Sequence, residues 1–107
     1  MGFTNKPWDA AVVKRNLEAG DYCRVCLIDT NTGEKVKVKC KLPVRHAPGG
    51  PYNLNAMSAA ASALAGGRGG VNAPSEKKKA AARKLIRLYR QAKREPPASL
   101  RRVAGTR

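Results

Sequence analysis

In the last third of the chain, apolar and basic residues recur at a spacing that matches the turn of an α-helix and not the alternation of a strand. Four apolar residues recur at spacings of four, three and four: Ala81, Leu85, Leu88 and Ala92. Four arginines repeat this spacing on a second row, Arg83, Arg87, Arg90 and Arg94, and Lys79 extends that row by one turn. Because two residues turn a helix by about 200°, the two rows lie on nearly opposite faces. The pattern predicts a helix over residues 76–94, capped by Ser75 and followed by Pro96 and Pro97, with one buried and one basic face.

The positive charge of the chain is concentrated in the same region. Twenty-two lysines and arginines oppose seven acidic residues, for a net charge of +15. Residues 73–107 carry twelve basic and two acidic side chains, or +10, and residues 1–72 carry ten and five, or +5. Such an excess opposes compact folding unless a polyanion is near, which favours a nucleic acid as partner over a merely solubilising surface. No apolar run reaches 18 residues, so we expect no segment that spans a membrane. The basic helix also lacks large apolar side chains along its edges, which argues against an acidic membrane surface as partner.

The N-terminal region predicts a short helix within residues 1–19. Thr4 and Asn5 are helix-capping types, and Pro7 suits a first helical turn. Gly20 is expected to stop this helix.

Residues 22–42 predict a β-hairpin with one buried face. Residues 22–28 are rich in β-forming types, and residues 29–33 have the composition of a turn. The second strand, residues 35–42, alternates, with apolar residues on one face: Val36, Val38, Cys40 and Leu42. Lysines occupy its other face: Lys35, Lys37, Lys39 and Lys41. This lysine row is either a second binding surface or a device that prevents edge-to-edge aggregation.

An alanine-rich helix is predicted next, capped by Asn53 or Asn55 and ending near Ala65. The glycine-rich segment 66–70, which contains Arg68, lacks the Gly-Lys-Ser/Thr ending of a nucleotide-binding loop, so we expect a flexible connector.

Together these elements predict an α+β fold: a short N-terminal helix, a two-stranded antiparallel β-hairpin, two packed helices and a basic C-terminal tail. We assign residues 1–95 to a single small domain and residues 96–107 to the tail.

Four residues of zinc-ligand type occur at the spacing C-x2-C-x13-C-x5-H: Cys23, Cys26, Cys40 and His46. On the predicted strand Cys23 and Cys26 face opposite sides, so we expect core cysteines and no metal site. Three cysteines without a secretory signal also predict no disulfide framework.

One histidine and no clustered carboxylates argue against an enzyme, and we expect no cofactor and no small-molecule substrate.

Several segments from residue 22 to about residue 95 together resemble a small module of tailed bacteriophages and prophages. They are Cys26-Leu27-Ile28-Asp29, Cys40-Lys41-Leu42-Pro43-Val44-Arg45, Asn55-Ala56, Gly66-Gly67-Arg68-Gly69-Gly70-Val71 and Lys84-Leu85-Ile86-Arg87-Leu88-Tyr89. That module occurs alone or joined to head-region proteins such as capsid maturation proteases and scaffold-like proteins, and no such partner domain is attached here. The resemblance implies a phage setting, in the cytoplasm of the infected bacterium or in the virion, and it carries over no functional residues.

The function predicted first is non-enzymatic binding of duplex or structured nucleic acid through backbone phosphates. Its expected contacts lie on the basic helix, the lysine row and the tail: Lys79, Arg83, Arg87, Arg90, Arg94, Lys35, Lys37, Lys39, Lys41, Arg101 and Arg102. The second candidate is a structural or accessory protein of the phage head that packs against capsid or scaffold subunits. The third is a phage inhibitor of a host nucleic-acid enzyme.

Overall fold

The computed structural model describes residues 2–67 and 70–105, so Arg68 and Gly69 of the expected connector lie outside the described residues. The predicted α+β class is confirmed, with five α-helices and an antiparallel two-stranded sheet among the described residues. The chain divides into two compact units, Met1–Ala60 and Ala61–Arg107. No helix among the described residues combines the length and the apolar character needed to cross a membrane.

The first unit combines short helices with two small sheets. Its elements are β1 (Phe3–Thr4), α1 (Ala10–Asn16), α2 (Ala19–Val25), β2 (Cys26–Asp29), a 3-10 turn (Lys37–Lys39), β3 (Cys40–Pro43), β4 (Tyr52–Asn53) and the start of α3 (Leu54–Leu64). Strand β2 pairs antiparallel with β3, with Ile28 opposite Lys41, and this is the expected hairpin in shortened form. The sequence did not predict the parallel pair of β1 and β4.

The N-terminal helix starts later than predicted. Asp9 is its N-cap, and the Asp9 carboxylate accepts hydrogen bonds from the backbone N–H groups of Ala11 (3.0 Å) and Val12 (3.4 Å). Thr4 lies in β1 instead, and Gly20 lies inside α2 rather than at a helix end. An aspartate that satisfies two free N–H groups defines the first turn better than the earlier polar residues do.

Both predicted strands of the hairpin were too long. Tyr22 and Val25 belong to α2 and not to a strand. Both are buried, because residues three positions apart lie on the same face of a helix. In the second strand, Val36 and Val38 are 42% and 62% exposed, so the alternating segment before Cys40 has no buried face. The alternation is present in the sequence, but no described residue of this unit covers its apolar side.

A disulfide between Cys23 and Cys40 joins α2 to β3, so the expectation of no disulfide was wrong. The two residues were correctly predicted to be buried in the core, at 5% and 3% exposure. Helix α2 presents Cys23 to the first residue of β3, with the two Cα atoms 5.3 Å apart. This cross-link lies within a cluster of buried side chains: Val13, Tyr22, Cys23, Val25 and Cys40.

The predicted cap of the alanine-rich helix is confirmed at Asn53, which is fully buried. Its side-chain oxygen accepts a hydrogen bond from the backbone N–H of Ala56 (2.9 Å), and its amide nitrogen donates to the carbonyl of Lys6 (3.0 Å). Asn53 therefore caps α3 and fixes the N-terminal segment at the same time.

The second unit is helical: after the end of α3 it contains α4 (Ser75–Gln91) and α5 (Ala98–Ala104), which pack against each other. Helix α4 ends three residues before the predicted Arg94. Lys93 adopts a left-handed backbone (φ 60°), and the N–H groups of Lys93 and Arg94 bond back to the carbonyls of Arg90 and Tyr89. This is a Schellman-type ending, and it stops the helix before the prolines do.

Helix α5 occupies most of the segment predicted as a basic tail. Leu100 and Ala104 are fully buried, and Pro96 is buried as well. Gly105 at φ 77° closes the helix in a left-handed conformation, which a glycine adopts without strain. The segment from 96 to 105 is thus an ordered part of the second unit, where the sequence predicted a basic tail.

Candidate nucleic-acid interface

Helix α4 separates apolar and basic side chains onto two faces, as its sequence predicts. Its buried residues are Ala81, Ala82, Leu85, Ile86, Leu88 and Tyr89. The predicted basic residues within the helix are all exposed: Lys79, Arg83, Arg87 and Arg90. The buried face fixes the rotation of the helix, and this rotation directs the basic row to solvent.

The basic row is free of acidic partners. None of Lys79, Arg83, Arg87 and Arg90 makes an ion pair or side-chain hydrogen bond with any residue that the structure describes. The second unit contains only two acidic residues in its sequence, Glu76 in the first turn of α4 and Glu95. Glu95 pairs with Arg101 in α5 (2.6 Å), which leaves the charge of the row uncompensated.

The spacing of the row suits a phosphate backbone. Lys79 and Arg90 are eleven residues apart, which at 1.5 Å per residue is about 16 Å along the helix axis. One strand of a duplex presents a phosphate about every 3.4 Å of its axis, so the row extends over about four or five phosphates. Guanidinium groups bind phosphate oxygens through two parallel hydrogen bonds, and a rigid helix holds three of them in line.

The other predicted contacts of the second unit differ in their position relative to α4, in exposure and in ion pairing. Arg94 is exposed but lies beyond the end of α4, so it is not a member of the helical row. Arg101 is half-buried and engaged with Glu95, whereas Arg102 is exposed on α5. Arg101 is therefore partly neutralised by its acidic partner, and Arg102 is the more exposed residue of this pair.

The lysine row of the first unit is not a continuous surface. Lys35 pairs with Asp29 across the β2–β3 connection, and Lys37 donates to the carbonyl of Lys14 (2.6 Å). Lys39 is exposed in the 3-10 turn, and Lys41 is half-buried in β3. The structure therefore does not bring these four lysines onto one strand face, because the segment before residue 40 is not a strand.

The four residues of the zinc-type spacing do not converge. Cys23 and Cys40 are bonded to each other, and the His46 ring packs edge-on against Trp8 with centroids 5.0 Å apart. Cys26 is the remaining thiol. Burial raises the pKa of Cys26 to about 12, against a smaller lowering by the hydrogen bond with Tyr22, so it is a protonated core thiol at neutral pH. Burial also raises the pKa of Tyr22, and the proximity of Cys26 adds to the shift.

Sequence reasoning missed two features. Lys84 is exposed beside Arg83 on α4 and widens the basic face. It was not predicted as a contact because it lies outside the regular spacing of the basic row. Asp29 lies close to the Cys23–Cys40 pair, and in the described part of the chain these three residues are the group whose ligand-type atoms converge. No spacing rule links them, because the strand register and the packing of α2 bring them together.

Comparison of the chain with protein-family models, with curated proteins and with solved structures yields no match. The case for a function therefore depends on the geometry of the two units.

Proposed function

We propose that the protein binds duplex or structured nucleic acid without catalysis, through contacts between the exposed face of α4 and backbone phosphates. The observation that carries this proposal is the row Lys79, Arg83, Arg87 and Arg90, which is exposed and lacks a partner in the described residues. A row that served only solubility would be expected to mix charge signs along its length. Here the one acidic residue of the helix is in its first turn, where it offsets the helix dipole.

The second unit favours backbone contact over base stacking. Tyr89 is the single aromatic residue of the segment 61–107 and is 8% exposed. Proteins that hold single strands generally stack bases on exposed aromatic rings, and this unit offers none in its described residues. A ligand whose phosphates are already arranged regularly, as in a duplex or a folded RNA, gains more from a rigid cationic row.

The test is fluorescence anisotropy with labelled duplex DNA, single-stranded DNA and hairpin RNA at one fixed salt concentration. The variant K79Q/R83Q/R87Q/R90Q removes the row while keeping good helix formers, since glutamine has a helix propensity close to that of lysine and arginine. We expect a loss of affinity for the duplex or hairpin on the order of a hundredfold.

The matched control removes the same number of charges from exposed positions of the first unit: Lys6, Lys14, Arg15 and Arg24. These four side chains make no hydrogen bond or ion pair with described residues, so K6Q/K14Q/R15Q/R24Q should fold and bind almost as the wild type does. Equal losses in both variants would show that total charge, and not α4, controls binding. No binding by the wild type would remove the proposal.

A further inference from the structure

Three potential metal ligands meet in the first unit, where no metal site was expected. The Sγ atoms of Cys23 and Cys40 and a carboxylate oxygen of Asp29 all lie within 4.8 Å of one another. Three separate elements supply them: α2, the first residue of β3 and the last residue of β2. The β2–β3 register pairs Asp29 with Cys40, and α2 packs on both strands, so the fold itself imposes the convergence.

The surroundings of the sulfur atoms suit a pair of thiolates. The Asn31 side-chain amide nitrogen lies 3.3 Å from Cys40 Sγ, 3.6 Å from Cys23 Sγ and 2.8 Å from Asp29 Oδ1. The Asn31 side-chain oxygen accepts from the Val36 backbone N–H (3.0 Å), which fixes the orientation of the amide. Donors held in this way orient metal ligands and stabilise their negative charge.

The group borders a surface cleft. The cleft, of about 380 Å³, is lined by Gly20, Cys23, Arg24, Asp29 and Lys35. An ion in this cleft would lie next to Cys23 and Asp29, whereas Cys40 is buried and does not line it. A site with three protein ligands keeps one tetrahedral position for water.

We propose that Cys23, Cys40 and Asp29 form a redox-dependent Zn²⁺ site that is closed while the disulfide is present and open when it is reduced. A phosphine reductant opens the site by breaking the S–S bond. The phosphine is oxidised to the phosphine oxide with the oxygen atom of a water molecule, and the two sulfur atoms are reduced and take up the two protons of that water. Each thiol then loses its proton as it binds the ion, and the carboxylate of Asp29 exchanges its contact with Lys35 for the metal. Two thiolates with a carboxylate suit Zn²⁺ better than Mg²⁺ or Ca²⁺, which prefer all-oxygen ligands.

The test is titration of the full chain with Co²⁺, a spectroscopic substitute for Zn²⁺, before and after phosphine reduction. We expect thiolate-to-cobalt charge-transfer absorption in the reduced protein only, and loss of that absorption when Zn²⁺ is added. C23S and C40S should abolish the band, and D29N should weaken Co²⁺ binding at least tenfold. K35Q, which frees Asp29 from its ion pair, should strengthen it.

The matched control is C26S, because Cys26 is a cysteine outside the convergent group and should leave the band unchanged. A band that C26S weakens as much as C23S does would overturn the proposed ligand set. Absence of a band in the reduced protein would overturn the site. Loss of the helical circular dichroism signal on reduction, without recovery on adding the metal, would overturn it as well.

Discussion

In the first unit three of the basic side chains make contacts within the fold, whereas the basic row of α4 in the second unit makes none with described residues. Lys35 pairs with Asp29, Lys37 bonds to a backbone carbonyl, and the Arg45 guanidinium lies 5.0 Å from the centre of the Tyr52 ring. Segment 1–60 has nine basic and five acidic residues, or +4, and segment 61–107 has thirteen and two, or +11. An acidic side chain, a backbone carbonyl and an aromatic ring thus engage these three cations of the first unit, while the cations of α4 lie on a face without acids and remain available to an external anion.

The largest effect on the free energy of unfolding should come from the buried side of α4. Leu85 is fully buried, so Leu85→Ala should cost about 2–5 kcal/mol through lost burial and the cavity left behind. Arg87 lies on the exposed face, and Arg87→Ala should change stability by less than about 0.5 kcal/mol. Denaturant unfolding measures both. Similar losses in the two variants would contradict the division of α4 into a structural and a binding face.

The first unit depends on its cross-link in a way that the second does not. The disulfide joins residues 17 positions apart, and removing it as C23A/C40A should cost about 3 kcal/mol, chiefly by freeing the unfolded chain. Thermal unfolding with and without reductant tests this. The wild type should lose stability on reduction, and the variant should not respond to the reductant.

The core of the first unit should also protect its remaining thiol. The pKa of Cys26 is raised to about 12 by burial, so its alkylation rate should keep rising with pH to about 12 instead of levelling off near its ordinary value of 9.0. The neutral thiol is the form favoured by folding. Its contribution to stability is therefore present below pH 9.0 and is lost as the pH rises through about 12.

The same labelling in denaturant provides the control, since the unfolded thiol should level off near its ordinary pKa. A plateau at that pH in the folded protein would show that Cys26 is accessible to water.

The smallest effect sharpens the description of where the basic helix ends. Lys93 adopts a left-handed backbone, so Lys93→Gly should stabilise the protein by about 0.5–1 kcal/mol. Lys84, within the helix, provides the matched substitution, and Lys84→Gly should destabilise by about 1 kcal/mol. Opposite signs in chemical denaturation are the expected result, and equal signs would place Lys93 inside the helix.

The helical periodicity of the sequence predicted α4, the longest helix of the second unit. The apolar and basic rows continue over about three turns, so the helix and its buried face follow from periodicity alone, although the end of the helix does not. Lys93 ends the helix in a conformation that favours glycine, and no sequence signal marks that position. The helix α5 was missed because its buried residues, Leu100 and Ala104, are too few to form a pattern among arginines.

Short patterns were less informative in the first unit. Tyr22 to Val25 satisfied the preferences of a strand but forms a turn of helix, and Val36 and Val38 alternate with lysines without being covered. The Cys23–Cys40 bond depends on the packing of α2 against β3, which no spacing along the chain encodes. The convergence of Asp29 with the two sulfur atoms has the same origin.

The salt dependence of duplex binding tests the central claim most directly. The slope of log K against log salt concentration reports about 0.9 per phosphate neutralised on duplex DNA. Replacing the row with glutamine, as K79Q/R83Q/R87Q/R90Q, should reduce the magnitude of the wild-type slope by about 3–4, whereas K6Q/K14Q/R15Q/R24Q should reduce it by less than about 1. Equal reductions in the two variants, or an unchanged slope in the first, would contradict phosphate binding by the exposed face of α4.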